Sequence, residues 1–368
     1  MRKNYERMIA VAGRVRKMFP GGNTAQGFYS YYRYIISGDA KRIFVIKGGP
    51  GVGKSSFMKK IAVEMTGLGF DVELHYCSSD NDSLDAVVIE NLKIALLDGT
   101  APHVVDPRYP GAIDEIINFG EFWDVEALEK CRESIVKYSR EISGYFARAY
   151  KLLAAAKLVM DDIEEKYGLC MDNGRANLVA EEWAGEIFDG WPVSAVPGKQ
   201  RHLFASAYTP GGFVDYSDSI IKSVQRIYSI AGYPGTGKTY FLNKLAGSAI
   251  ERGVKVEYFH SPLKPHKLST IVLDELDIAV TCSAGGNNGV HRFLDLNLML
   301  DRDRLKGITE DIERDMHLYE ELITEATAAI SGAKKTHDRL EEYYIDNMDF
   351  QAIDRMRDKI LERILEYR

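Results

Sequence analysis

The sequence predicts an α/β protein of two homologous halves, each a parallel-sheet α/β/α core carrying a long helical appendage. Three observations lead there. The pattern G-x-x-x-x-G-K-[ST] occurs twice, at Gly48-Gly49-Pro50-Gly51-Val52-Gly53-Lys54-Ser55 and at Gly232-Tyr233-Pro234-Gly235-Thr236-Gly237-Lys238-Thr239. Each copy lies between a short apolar run, Ile43 to Ile46 or Ile227 to Ile230, and apolar residues at helical spacing, Phe57, Ile61 and Met65 or Phe241, Leu245 and Ala249. Sliding the chain on itself by 184 positions aligns 42–97 with 226–281 without a gap, with 19 identities in 56 positions.

The glycines matter because they let successive backbone N–H groups curl around phosphate oxygens without Cβ clashes. The helix that leaves such a loop adds free N–H donors and the positive end of its dipole. A phosphate cradle is therefore expected in each half, reaching one residue past the pattern to Ser56 and Tyr240. Beyond the loops, Gly69, Val72-Glu73, Leu84 and Ile94-Ala95 match Gly253, Val256-Glu257, Leu268 and Ile278-Ala279. Upstream, shifted by one residue, Arg16, Phe19, Thr24, Gly27, Phe28 and Tyr31 match Arg201, Phe204, Thr209, Gly212, Phe213 and Tyr216. Downstream, Ala156-Lys157, Asp161, Glu164-Glu165 and Tyr167 match Ala333-Lys334, Asp338, Glu341-Glu342 and Tyr344.

Each half thus reads as an entry segment, a strand, the glycine loop, a helix, a strand (Val72 to Cys77, Val256 to Ser261), a short element, another strand (Lys93 to Leu97, Asp277 to Thr281), then helices. Asp189 to Gly198, rich in Gly and Pro, breaks all periodicity. The expected division is 1–188 for the first domain with its arm, 189–199 for the linker and 200–368 for the second domain with its arm. In the first arm Leu128, Cys131, Ile135, Tyr138, Ile142, Tyr145, Ala149 and Leu152 alternate steps of three and four. The second repeats the seam at Leu305, Ile312, Tyr319, Ala326 and Ala333. Such stripes predict an intramolecular helical hairpin or a dimerising coiled coil, between which the sequence does not choose, with a protein partner on the arms as a further possibility. Gly144 and Gly332 are candidate breaks.

With 368 residues, 45% hydrophobic and 27% charged, the composition is that of a soluble globular chain with room for two domains. No run of ~18 apolar residues suggests a membrane span, and the basic N-terminal stretch (Arg2, Lys3, Arg7, Arg14, Arg16, Lys17) lacks the apolar core of a signal peptide. A cytoplasmic location is the expectation. The net charge of -7 gives no field favouring nucleic acid. Cys77, Cys131, Cys170 and Cys282 show no C-x-x-C spacing, so neither zinc nor a disulfide framework is indicated.

These residues resemble the P-loop NTPase superfamily, and more narrowly a family of bacterial ATPases with two such loops per chain. The narrower likeness rests on Ser78-Ser79-Asp80-Asn81-Asp82-Ser83-Leu84-Asp85, Asp98-Gly99-Thr100-Ala101-Pro102-His103 and Arg201-His202-Leu203-Phe204-Ala205-Ser206-Ala207. The resemblance implies ATP binding on a P-loop fold.

In such a site the lysine bridges β and γ oxygens, the next hydroxyl holds Mg²⁺, and an acid ending a nearby strand completes the metal shell. Lys54 and Lys238 take the first role, Ser55 and Thr239 the second. For the acid, the first half offers Glu90 and Asp98. If 86–90 is a strand, the connector from Ser78 is too short for a parallel crossover, so the strand runs backwards and Glu90 lands on the wrong sheet edge; if it is a helix, Glu90 ends no strand. Asp98 is therefore favoured, with a turn cap beside Gly99 as its bland reading. The second half has Cys282 at that position, a poor Mg²⁺ ligand. A rival there is Thr270-Ile271-Val272-Leu273-Asp274-Glu275, which resembles the signature of AAA-type ATPases, with Glu275 as catalytic base.

His103 is a candidate for orienting water or sensing the γ-phosphate, Phe28 and Phe213 for stacking on a base, and Arg16 and Arg201 for donating charge to the opposite site. The expected function is ATP binding in both halves with Mg-dependent hydrolysis mainly in the first. A kinase using Asp80, Asp82 and Asp85 to hold an acceptor, or a nucleotide-gated scaffold, are the alternatives. One further expectation is that the entry strands, His202 to Ala207 and Arg16 to Phe19, are exchanged between the halves.

Overall fold

The computed structural model describes residues 12–36, 38–101, 104–282 and 289–368. Its first sheet contains β1 (Val15–Met18), β4 (Arg42–Lys47), β5 (Val72–Cys77), β6 (Asp80–Ile89), β7 (Ile94–Asp98) and β8 (Asp114–Asn118), in the order β1-β5-β6-β7-β4-β8. A second sheet repeats it with β9 (Gln200–Phe204), β12 (Arg226–Ala231), β13 (Val256–His260), β14 (Leu268–Leu273), β15 (Ile278–Thr281) and β16 (Val290–Asp295), in the mirrored order β16-β12-β15-β14-β13-β9. Between them lies a four-stranded antiparallel sheet made of one hairpin from each half, β2 (Gly21–Thr24) with β3 (Gly27–Ser30) and β10 (Ser206–Thr209) with β11 (Gly212–Asp215).

The molecule is α/β, but its two large sheets are mixed where all-parallel ones were expected. β6 runs antiparallel to both β5 and β7, and β14 does the same between β13 and β15. The cause is the short Ser78-Ser79 connector, which permits a hairpin and forbids a crossover. The remaining neighbours, including β4 beside β7 and β8, are parallel.

Strand periodicity fills both faces of each sheet. Phe44 and Ile46 face a core shared with Phe57, Ile61 and Met65 of α1 (Lys54–Gly67), while Val45 faces Ile35, Ala86, Val88, Ala95 and Leu97. The second half repeats the first arrangement with α6 (Lys238–Glu251) and covers its other face with Ile220 and Ile221 of α5 (Ser217–Ile221).

The two helical arms pair with each other within the chain, one from each half. After the short α2 (Val125–Lys130), α3 (Arg132–Leu169) runs unbroken, about 57 Å at 1.5 Å per residue. It lies antiparallel along α8 (Thr309–Ile345), which follows α7 (Arg302–Lys306): Tyr138 meets Tyr343, Arg148 pairs with Glu325 and Lys166 pairs with Asp315. The apolar seam is consumed between the halves, by Ala149, Leu153, Ala326, Ala329 and Ile330. Gly144 and Gly332 do not interrupt either helix; at Gly332 a Cβ would stand 2.6 Å from the Tyr145 ring, so the glycine admits that ring.

Each long helix carries its successor onto the other half's sheet. Ala180, Trp183 and Ile187 of α4 (Asn173–Ile187) join the core around α6, although they precede the linker. Ile353, Ile360 and Ile364 of α9 (Phe350–Leu365) join the core around α1, where Arg363 also pairs with Glu115 and Lys60 with Asp354. The packing units are therefore cut differently from 1–188 and 200–368. The exchanged pieces are these helices and not the entry strands: β1 pairs in parallel with β5, and β9 with β13, each in its own half. Residues 189–199 lie against the second half, where Ser194 and Gly198 donate to the carbonyls of Glu251 and Ile250.

Arg16 and Arg201 are also placed differently from expectation. They form a quartet with Glu73 and Glu257 across the junction of the two sheets, Arg201 reaching Glu73 at 2.5 Å and Glu257 at 2.8 Å, and Arg16 pairing with both as well. Both glutamates are buried, and the facing guanidiniums hold their carboxyls below the usual range, Glu257 at about 2, against the opposing effect of burial. The charges of these arginines are spent on joining the halves. Of the other N-terminal cations, Arg14 binds Asp71 and Lys17 lies over the Tyr76 and Tyr216 rings, so this stretch is an edge strand and not a helix face; Arg2, Lys3 and Arg7 lie outside the described residues. Among the described residues no helix is long and apolar enough to cross a membrane. All four cysteines are free.

Candidate functional site

Each glycine loop joins the C-terminal end of a central strand to the first turn of a helix, β4 to α1 and β12 to α6. Gly51 and Gly53 have φ of 69° and 87°, and Gly235 and Gly237 have 81° and 93°, the left-handed values that favour glycine. Lys54 and Lys238 are the first residues of their helices, so each loop leads into a helix end whose first-turn N–H groups have no helical partner.

At the first loop Lys54 Nζ donates to the carbonyls of Gly49 (2.6 Å) and Gly48 (3.3 Å) and stands 3.5 Å from Asp98 Oδ2. Asp98 ends β7 opposite Ile46 in register, at the edge from which the loop springs. Its Oδ1 accepts from the Thr100 amide at 2.9 Å, and Thr100 Oγ1 donates to Gly48. Ser55 Oγ accepts from the Leu84 amide at 3.0 Å. Lys54, Ser55 and Asp98 are thus brought to one sheet edge. Glu90 lies at the opposite edge, beyond the end of the reversed β6, 3.5 Å from Arg16.

At the second loop Lys238 Nζ donates to the carbonyls of Gly232 (2.5 Å) and Tyr233 (2.7 Å), and Thr239 Oγ1 to Leu268 at 3.5 Å. Burial lowers the Lys238 pKa, assisted by Lys267 and opposed by Cys282 and Glu164. Cys282 follows β15 where Asp98 ends β7. Asp274 and Glu275 follow the reversed β14 and stand at the far edge, where Lys255 Nζ reaches Asp274 at 2.6 Å and the Lys255 amide donates to Glu275 at 2.7 Å. They do not approach the second loop.

Four residues to which sequence reasoning assigned no role lie on the loops. Glu341 of α8 accepts from the Gly51 amide at 3.1 Å, and the Tyr344 ring lies on Gly49, where a Cβ would stand 2.7 Å from it. At the second loop Glu164 of α3 lies over Gly235, and Tyr167 stacks on Tyr233 with centroids 4.8 Å apart. Each loop is therefore covered by the long helix of the other half. The signal was the downstream match of Glu164 and Tyr167 with Glu341 and Tyr344, which marks a repeated feature without saying what it touches.

The hairpin tips cross over too. Gly211 donates to Asn81 Oδ1 at 3.3 Å beside the first loop's neighbouring turn, and Ala25 donates to the Leu263 carbonyl in the second half. Phe28 and Phe213 belong to this central sheet, Phe213 packing edge-on against Tyr208. Asp80 shapes its own turn, accepting from the Asp82 amide and Ser83 Oγ, and Asp85 is buried. His103 lies outside the described residues.

The donor sets differ in what they can hold. Ser55 and Asp98 are hard oxygen donors that fit Mg²⁺. Beside them His337, Asp338 and Glu341 each bring one ligand atom within 4.8 Å of the others. The second loop has Thr239 and a thiol that burial raises to about 12, a set that does not fit Mg²⁺. Comparison with known proteins gave no matching family model, no matching curated protein and no matching solved structure.

Proposed function

We propose that this chain is a tandem P-loop protein that binds ATP and hydrolyses it with Mg²⁺ at the first glycine loop. The observation that carries the reading is the convergence of Lys54, Ser55 and Asp98 at the mouth of a glycine loop with two left-handed glycines. Lys54, now folded back onto the Gly48 and Gly49 carbonyls, would exchange them for β and γ phosphate oxygens. Ser55 and Asp98 would hold the cation, which when bound supplies positive charge to the phosphate chain during γ-phosphoryl transfer to water. Thr100 fixes the Asp98 carboxylate, leaving Oδ2 directed to the lysine.

Steady-state phosphate release from ATP tests this. Lys54→Ala and Asp98→Asn should each lower turnover by more than about tenfold, the scale of losing a charged partner of the phosphates or their metal. Full turnover in Asp98→Asn, with loss in Asp274→Asn or Glu275→Gln, would overturn it.

A nucleotide-gated switch is favoured alongside by one contact. The Glu341 carboxylate occupies the Gly51 amide that a phosphate would need, so a nucleotide at the first loop would displace the end of α8. Nothing comparable supports the kinase alternative, since Asp80 is engaged in its own turn and with Lys334.

A further inference from the structure

The second loop keeps the glycines, the lysine and the hydroxyl, but two positions in the connector after β13 become lysines. Position 80 of the first half corresponds to 264 in the second and position 83 to 267, so Asp80 and Ser83 become Lys264 and Lys267. The Lys264 side chain is 3% exposed, and its ammonium lies 2.7 Å from Asp161 and 2.8 Å from Glu164. Lys267 Nζ lies 2.6 Å from the same Glu164 oxygen, and Lys157 pairs with Asp161. Three lysines thus converge on two carboxylates, both brought in by α3.

Burying an ammonium as deeply as Lys264 is costly unless an anion accompanies it. Here that anion is delivered by Glu164, the residue that also lies across Gly235. Its backbone carbonyl covers Gly235 while its carboxylate gathers Lys264 and Lys267, so these two ammonium groups lie one side chain away from the loop. Lys238, on the Gly232 and Tyr233 carbonyls, belongs to the loop that the Glu164 backbone covers at Gly235. The Cys282 thiol beside Lys238 remains protonated at neutral pH and offers no charge to a cation.

Resting on the reading of the glycine loops as phosphate sites, we propose that the second loop takes the phosphate chain of a nucleotide free of divalent metal. Lys238, Lys264 and Lys267 neutralise the chain where Mg²⁺ does so at the first loop. Glu164 yields its lysines to the incoming phosphates. The second site then holds its ligand without hydrolysing it.

The test isolates the loops in the full chain. With the first loop silenced by Lys54→Ala, ATP titrated by calorimetry should bind in EDTA at least as tightly as in magnesium. Lys238→Ala, which silences the second, should bind ATP about tenfold or more weakly in EDTA than in magnesium. Lys267→Ala, at a side chain only a third exposed, should weaken EDTA binding in the Lys54→Ala background by about tenfold, the loss of one charged contact. If the Lys54→Ala chain loses ATP on chelation, the metal-free proposal fails while the phosphate reading stands. If it binds ATP under neither condition, the reading of the second loop fails and the proposal with it.

Discussion

In the first half Asp98 stands beside the loop lysine and Asp80 and Ser83 bond each other just after β5; in the second half the same places in the repeat hold Cys282, Lys264 and Lys267. The long helices are rewritten one turn before the loop-covering glutamates as well, where His337 corresponds to Met160. What did not change is the backbone: the glycine pair, the strand feeding it and the Glu and Tyr that lie on it from the other half. The comparison teaches that the duplicated part is the glycine-loop backbone, while the side chains around it have diverged. Both lysines fold back onto loop carbonyls, but Lys54 also has Asp98 beside it, whereas the residue lying on the second loop, Glu164, brings Lys264 and Lys267.

The largest effect that would sharpen this contrast is in turnover. Asp98→Asn should cost far more phosphate release than Lys238→Ala, because only the first loop combines the lysine with a charged strand-end carboxylate. Equal losses in single-turnover measurements would show that both loops do the same work and would break the distinction.

The next effect is in stability, and it probes what the two sites share. Trp183 is fully buried, with its ring edge-on to Tyr228 and Phe241 of the other half. Trp183→Ala should therefore lower stability by ~3–5 kcal/mol, the range for deleting a buried aromatic, and loosen the second core first. Denaturant melts followed by limited proteolysis would read this; cleavage starting around α1 instead would mean that α4 does not support the second core. Cutting the chain near Pro197 should leave the halves co-purifying, since α3 and α8, α4 and α9 all cross between them. Independent halves would end the exchange.

That exchange was only partly legible in the sequence. Gapless repetition at 184 positions reported the duplication, and connector length alone placed Glu90 on the edge away from the loop, as the reversed β6 does. The arms were different. A heptad seam tells which face of a helix is apolar but not which helix covers it, so hairpin, dimer and inter-half pairing leave the same trace at Ala149 or Ala326. The entry strands misled for a related reason. Arg16 and Arg201 look like surface residues in a poor strand until Glu73 and Glu257, far along the chain, arrive to neutralise them. Long-range charge pairing has no local period.

A smaller effect is expected at the helix ends. Glu341→Gln removes a charge from the Gly51 amide and should tighten ATP at the first loop by several-fold, since a neutral amide competes less well for that donor. Calorimetry in magnesium measures it. Glu164→Gln should do the opposite of a simple opening: it leaves Lys264 and Lys267 with less anionic partnership, so the folded state should lose stability without ligand and regain it with ATP. Identical behaviour of the two variants would mean that the lysines around the second loop are electrostatically idle.

The smallest effect concerns the sheet edge away from both loops, where the halves again differ by charge. Asp274 of the second half has Lys255 beside it, whereas Glu90, its counterpart, has Asp71 at the lysine's position. Burial, with Glu73 as the nearest like charge, raises Glu90 to about 8, despite the attraction of Arg16. Its unfolded value is near 4.5, so the folded state binds the proton more tightly. The sign follows: the contribution of this proton is fully present below pH ~4.5 and is lost as pH rises toward 8. A third of the side chain is exposed, so solvent screens the interaction and the loss is modest. Glu90→Gln should flatten the stability profile between pH 5 and 8 in urea melts, using ~1 pH-unit steps. An unchanged slope in Glu90→Gln would show that Arg16 already keeps this carboxylate ionised, and that the two far edges, unlike the two loops, are equivalent.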